Sequence, residues 1–286
     1  MIDLFYEYTT DDLMLQGTYF NSGRKDCCVV FIHGQAQTIA DNKFAYIWGK
    51  YLSGSGVSFL YGHNRGYAYM NCMENKDGDF VFNGSTFEEF DDCIKDIEVW
   101  CNKAKELGYR KIILMGHSLG CNKALHYISS VKEKFNGVIF ASAPDMVGIT
   151  KQTEKDYKAL LEEAENNIKN KEPRKLLSKL IGNTDYSSSI NFIKSYTEKS
   201  PIDNFPIERN PKVFEELSKV DIPILTFAGS EEYPTYLKQD ILKDKAISCP
   251  DFTSRIIEGT NHIYFNHELE IAEIILNWIR KIGVLL

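Results

Sequence analysis

Apolar and polar positions follow two rhythms along this chain. Compact apolar runs recur at residues 4–8, 13–20, 27–32, 57–61, 111–115, 137–141, 222–228 and 252–257. They predict strands. Most of the intervals have helical spacing. Residues 41–52 read as a helix, stopped by Ser53-Gly54-Ser55-Gly56. A second starts from a cap at Ser85 or Thr86. Phe87, Phe90, Ile94, Ile97, Cys101 and Ala104 line one face, and Gly108 ends it. Ile271, Ile274, Ile275, Trp278 and Ile282 mark a closing helix. Strands alternating with helices predict an α/β fold with a mainly parallel sheet covered on both faces. The first two runs, joined by Thr9-Thr10-Asp11-Asp12, predict an antiparallel hairpin at the sheet edge.

Two stretches break the alternation. Residues 62–85 read as a long loop carrying Asn64-Arg65-Gly66 and the aromatics Tyr67, Tyr69, Phe80 and Phe82. The loop leaves the carboxyl end of a strand, where parallel sheets bind ligands. Tyr67 and Tyr69 are therefore candidates for substrate binding. Residues 151–217 are highly charged, with one amphipathic helix through Tyr157, Leu160, Leu161, Ala164 and Ile168. Leu176, Leu177, Leu180 and Ile181 suggest a shorter second helix. The expected layout is an α/β core at 1–145 and 220–286, with a helical cap at 146–219 inserted between two sheet strands.

The chemistry concentrates at residues 111–131. An apolar run leads into Gly116-His117-Ser118-Leu119-Gly120, and an amphipathic helix follows. Strand, sharp turn and helix around G-x-S-x-G form a nucleophile elbow. A serine hydroxyl is a weak nucleophile, so it needs a base, and the base needs an orienting carboxylate. Of the six histidines, His262 sits on a loop just after the last strand, which makes it the base. The acid stays open between Glu231 and Glu232, which follow the strand ending at Gly229, with Asp145 ranked third. His33-Gly34-Gln35 follows an upstream strand, where an oxyanion loop belongs. Its expected donors are the backbone N–H groups of Gln35 and Leu119.

The whole chain resembles an α/β-hydrolase of the serine esterase and lipase superfamily. More narrowly, Asn64-Arg65-Gly66, the stretch from Gly84 to Ile97 and the stretch from Met115 to Lys123 resemble a branch of small intracellular hydrolases. That branch includes fungal enzymes that cleave siderophore esters. The resemblance implies Ser118 as nucleophile, His262 as base and His33-Gly34-Gln35 as the oxyanion loop. In that branch the acid lies in a Gly-Ser-x-Asp-Glu-Tyr run. Here the run is one residue shorter and begins with Glu, so the resemblance leaves the acid open.

Composition narrows the partners. A net charge of -7 with scattered Lys and Arg argues against nucleic acid. No apolar run approaches the roughly 18 residues that span a bilayer. The seven cysteines form no C-x-x-C pair and read as reduced thiols, so no metal or cofactor is expected. The expectation is a cytoplasmic serine hydrolase acting on small carboxylic esters, with a homodimer left open. Thioester, amide or peptide hydrolysis on the same triad is the alternative. A non-catalytic hydrolase-like binding module is the further one.

Overall fold

The computed structural model describes residues 1–182, 184–198 and 200–285. The chain opens with strands β1 (Ile2–Tyr8) and β2 (Met14–Phe20), paired antiparallel as expected. Strand β3 (Cys28–Ile32), helix α1 (Lys43–Gly54) and strand β4 (Ser58–Gly62) follow. A hairpin of β5 (Asn71–Glu74) and β6 (Phe80–Asn83) comes next. Helix α2 (Cys93–Glu106), strand β7 (Ile112–His117), helix α3 (Leu119–Ser130) and strand β8 (Gly137–Ala141) continue the alternation. Between β8 and the next strand lie α4 (Met146–Thr153), α5 (Tyr157–Lys169) and α6 (Ser189–Tyr196). Strand β9 (Ile224–Gly229), helix α7 (Gln239–Lys245), strand β10 (Phe252–Ile257) and helix α8 (Glu268–Lys281) close the chain.

Eight strands form one sheet in the order β1-β2-β4-β3-β7-β8-β9-β10. From β4 to β10 all neighbours are parallel. Alternate residues of each buried strand serve two separate cores. Val29, Phe31, Phe59, Ile113, Met115 and Phe227 pack under α1 and α8. Cys28, Val30, Ile32, Leu60, Leu114 and Phe140 pack under α2 and α3. This is the period-two rule of a sheet buried on both faces. The order in which strands are added reverses between β3 and β7, so the loops after these two strands flank a crevice at the carboxyl edge.

Three expectations need correction. The 62–85 stretch is not one loop, because β5 and β6 lie inside it. Asn75 Oδ1 accepts the N–H groups of Asp77 and Asp79, and Gly78 takes φ 82°, which closes a tight turn. Helix α2 starts later than a cap at Ser85 or Thr86 would give. The backbone of 84–88 is instead spent on turns and on pairing with 65–69, and a 3₁₀ turn at Phe90–Asp92 leads into the helix. Residues 176–181 are not helical. Leu176 bridges Ser188 and Ile181 bridges Asp185, so Leu177 and Ile181 reach their cluster from a hairpin-like excursion. Further on, Ser188 caps α6, its hydroxyl accepting from Asn191 N.

Charge, as well as apolar packing, holds the loop after β4. Arg65 is buried and reaches Asp11, Asp92 and Asp96 at 2.9–3.0 Å. Asp96 also accepts the Arg65 N–H at 2.8 Å. Beside it Lys123 Nζ lies 2.6 Å from Glu88 Oε2 and 2.9 Å from Asn64 Oδ1, with both charged side chains at most 4% exposed. Burial pushes the Glu88 carboxyl up, and Lys123 opposes it. Below the loop, Gly17 and Gly62 are register partners on β2 and β4, and together they make a flat slot for the Trp100 ring. The Trp100 indole N–H donates to His63 O at 2.8 Å.

Two stability measurements follow. Lys123→Met should cost about 3–5 kcal/mol by chemical denaturation, since it leaves a buried carboxylate unpaired. Adding Glu88→Gln should recover much of that loss. Gly62→Ala places a Cβ 2.2 Å from the Trp100 ring, and the overpacking should cost about 1–3 kcal/mol.

Candidate active site

Strand β7 ends at His117, and the chain turns sharply into α3 at Ser118. Ser118 has φ 53° and ψ -129°, a region costing a non-glycine residue about 1–3 kcal/mol. Close contacts hold the turn. A Cβ on Gly116 would lie 2.2 Å from Gly120 O, and one on Gly120 would lie 2.3 Å from Ile32 O. Only glycine lets β3, β7 and α3 approach this closely. Ser118 N donates to Ala141 O at 2.9 Å, and Cys121 N donates to Ser118 O at 2.8 Å. The half-buried serine therefore stands on the crevice with the first turn of α3 behind it.

The loop after β3 lies directly against the serine. A Cβ on Gly34 would be 2.8 Å from Ser118 Cβ. His33 is fully buried and structural. Its Nδ1 meets Gly34 O at 2.7 Å and its Nε2 accepts from Asn64 N at 3.0 Å. Burial holds its pKa well below the usual imidazole range, so it is a neutral strut. It ties the β3 loop to the charge-anchored β4 loop. Leu119 is the first residue of α3, where a backbone N–H has no acceptor within the helix. The Gln35 side chain donates to the Tyr196 hydroxyl of α6 at 2.8 Å.

His262 lies on the loop after β10, with its Nδ1 2.6 Å from Glu232 Oε2. Glu232 is buried, and its other oxygen accepts from Gly229 N and from Ser142 Oγ, both at 2.6 Å. The Tyr264 hydroxyl lies 2.5 Å from Ser142 Oγ and completes the cradle. Glu231, one residue earlier, is exposed, while its N–H donates to Thr260 O. Asp145 is committed elsewhere. Its carboxylate caps α4 through Gly148 N at 2.7 Å and takes Glu208 N at 2.8 Å. The structure thus pairs His262 with Glu232, and with neither Glu231 nor Asp145.

The two loop tyrosines part company. Tyr67 is half-buried and stacks on His63, with ring centroids 4.7 Å apart and planes at 11°. Tyr69 is 46% exposed and is an electrostatic neighbour of Tyr196, itself bonded to Gln35. Sequence reasoning missed Ser142, Tyr264 and Tyr236. Ser142 could have been suspected, since it follows a strand adjacent to that of the acid. Tyr236 sits in a short 3₁₀ turn at Pro234–Leu237 with no periodic signal. Its ring lies 5.2 Å from that of His262 and its hydroxyl faces Ser118. Burial raises that phenol's pKa well above normal, so it stays protonated.

All seven cysteines are free thiols. Among the described residues, no group of three or more His, Cys, Asp or Glu side chains is arranged to hold a metal ion. Likewise no described helix is long and apolar enough to cross a membrane.

Comparison with known proteins fits this architecture. No curated protein matches the sequence. Several solved structures superpose over nearly the whole chain. Esterase Est1E from Butyrivibrio proteoclasticus has a TM-score of 0.67 at 14% identity, covering 98% of each chain. DcsB, solved with a substrate analogue, has a TM-score of 0.70 at 11% identity, covering 98% of this chain and 99% of its own. A monoglyceride lipase variant from Saccharomyces cerevisiae has a TM-score of 0.66 at 16% identity, covering 98% and 95%. At these identities the likeness establishes the α/β-hydrolase fold. The family model described as serine aminopeptidase, S33, matches residues 23–269, and the chain therefore belongs to that family of α/β-hydrolases.

Proposed function

We propose that this protein is a serine hydrolase that cleaves carboxylic esters through an acyl-enzyme. The observation that carries the reading is the 2.6 Å contact between His262 Nδ1 and a Glu232 held on its far side by two further donors. A carboxylate so fixed selects one tautomer, with the proton on Nδ1 and a free lone pair on Nε2. Ser118 is the nucleophile. Its Oγ attacks the ester carbonyl while its proton passes to His262 Nε2. The oxyanion is met by the N–H groups of Gln35 and Leu119, and the α3 dipole favours the same charge. As the tetrahedral intermediate collapses, His262 returns the proton to the departing alcohol. Water then enters, gives a proton to His262 and releases the acid.

Residues 146–219 act in this reading as a cap over the crevice, joined to the oxyanion loop through Tyr196 and Gln35. Tyr69 and the β5–β6 hairpin form a wall of the pocket, with Tyr67 bracing it from behind. The seven free thiols suit a reducing, cytoplasmic setting. Ester chemistry is supported by the fold neighbour named as a monoglyceride lipase. The family's description favours one second reading, amide or peptide hydrolysis on the same triad.

Matched ester, thioester and anilide substrates separate the two readings, with the ester expected to be turned over fastest. Fluorophosphonate labelling should occur in wild type and vanish in Ser118→Ala. Wild type that neither labels nor turns over any of the three would remove the proposal. Glu232→Gln should lower kcat by roughly 10³–10⁴-fold, whereas Glu231→Gln should leave it nearly unchanged. Aryl or long-chain acyl esters should exceed acetyl esters in kcat/KM. Equal values would remove the loop aromatics from the pocket.

A further inference from the structure

The residue before the nucleophile has a fully buried side chain that the mechanism above does not use. His117 packs among Phe44, Tyr264 and His262, with ring centroids at 4.7, 5.6 and 4.8 Å. Its Nε2 lies 3.0 Å from the backbone oxygen of His262. Its Nδ1 lies 3.1 Å from Gln37 Oε1. That same oxygen accepts from Gly34 N at 2.9 Å and from Asn42 Nδ2 at 3.1 Å, which fixes the Gln37 amide orientation. One ring therefore touches both loops that flank Ser118, the one after β3 and the one after β10.

Both neighbours of the ring are oxygen acceptors, so proton placement can be argued. Burial, then the nearby His262, holds the His117 pKa well below the usual imidazole range, so the ring is neutral with a single N–H. Gln37 Oε1 already has two donors. The proton accordingly belongs on Nε2, donated to the His262 carbonyl.

That bond matters because, apart from the buried Tyr264 side chain and the His262 contact with Glu232, the bonds of residues 261–266 stay within the loop, such as Tyr264 N to Asn261 O and Ile263 N to Asn261 Oδ1, whereas His117 reaches in from β7. Asn261, Ile263, Phe265 and Asn266 are exposed, and Tyr264 and Asn266 take positive φ of 55° and 64°. Glu232 orients the ring of His262 but does not touch its backbone in any bond described above. We propose, on the assignment of His262 as the base, that His117 is a positioning residue. Its Nε2–H holds the backbone of the base in register with the nucleophile, and its other edge packs on the amide that braces the oxyanion loop. Ser118, His262 and the oxyanion donors then share one rigid reference, although they come from three different strands.

The test compares His117→Gln, His117→Phe and His117→Asn. Glutamine can place an amide N–H near the Nε2 position. Phenylalanine fills the aromatic cage without a donor. Asparagine places its amide near the Nδ1 position, too short to reach the His262 carbonyl. The Phe and Asn variants should lose roughly 100-fold in kcat, the scale of a 1 Å misplacement, with KM little changed. Fluorophosphonate labelling should slow in parallel, and Gln should restore most of both rates. A second readout needs no turnover. In a Ser118→Ala background, the His262 Nδ1–H proton resonance should shift or broaden with Phe and Asn, and persist with Gln. Three variants that behave alike in kcat and in this resonance would overturn the inference. An inactive wild type would remove the proposed function instead, and the resonance alone would then decide the role of His117.

Discussion

The site depends on one steric constraint, the close approach of β3, β7 and α3 around a serine forced to positive φ. Gly116 and Gly120 leave no room for a Cβ between them, and Gly34 sits against Ser118 itself. Relaxing any of these contacts would let the turn open and return Ser118 to an ordinary conformation. The cost of the strained turn is offset by two fully packed cores, one on each face of the sheet. Because β3 and β7 lie on either side of the point where strand order reverses, the same constraint places the His33-Gly34-Gln35 loop beside Ser118.

Polar anchoring then builds outward from that turn in two directions. Toward β4, His33 binds Asn64, and Asn64 sits on the buried Lys123–Glu88 pair next to Arg65 and its three carboxylates. Lys123 lies on α3, so the helix that begins just after Ser118 also carries a cation that stabilises the neighbouring loop. Toward β9 and β10, Glu232 gathers Gly229, Ser142 and His262. A carboxylate with this many donors is held in one orientation and transmits that order to the imidazole. The two networks meet at His117, which contacts the His262 carbonyl on one edge and Gln37 on the other.

Elements whose fate is set by local periodicity were legible. The strand pattern, the edge hairpin, the elbow at Ser118, the loop position of His262 and the closing helix are all written in residue spacing and turn chemistry. The hairpin of β5 and β6 was not legible: residues 62–85, with aromatics at 67, 69, 80 and 82, read as a single loop. The stretch 176–181 misled for a related reason. Four apolar residues close together satisfy a helical template, yet an excursion pinned by backbone bridges buries two of them, Leu177 and Ile181, in the same cluster.

The sequence by itself determined the fold class and the order in which Ser118, the two glutamates and His262 arrive along the chain. Those follow from hydrophobic period and from glycine at positions where a side chain cannot fit. Tertiary structure paired Glu232, not Glu231, with His262, gave Asp145 to a helix cap, and brought Ser142, Tyr236, Tyr264 and His117 to the site. Adjacent glutamates have the same local propensity. Only the pairing of β8, β9 and β10 into one sheet turns one of them inward to Gly229, Ser142 and His262 and leaves the other in solvent.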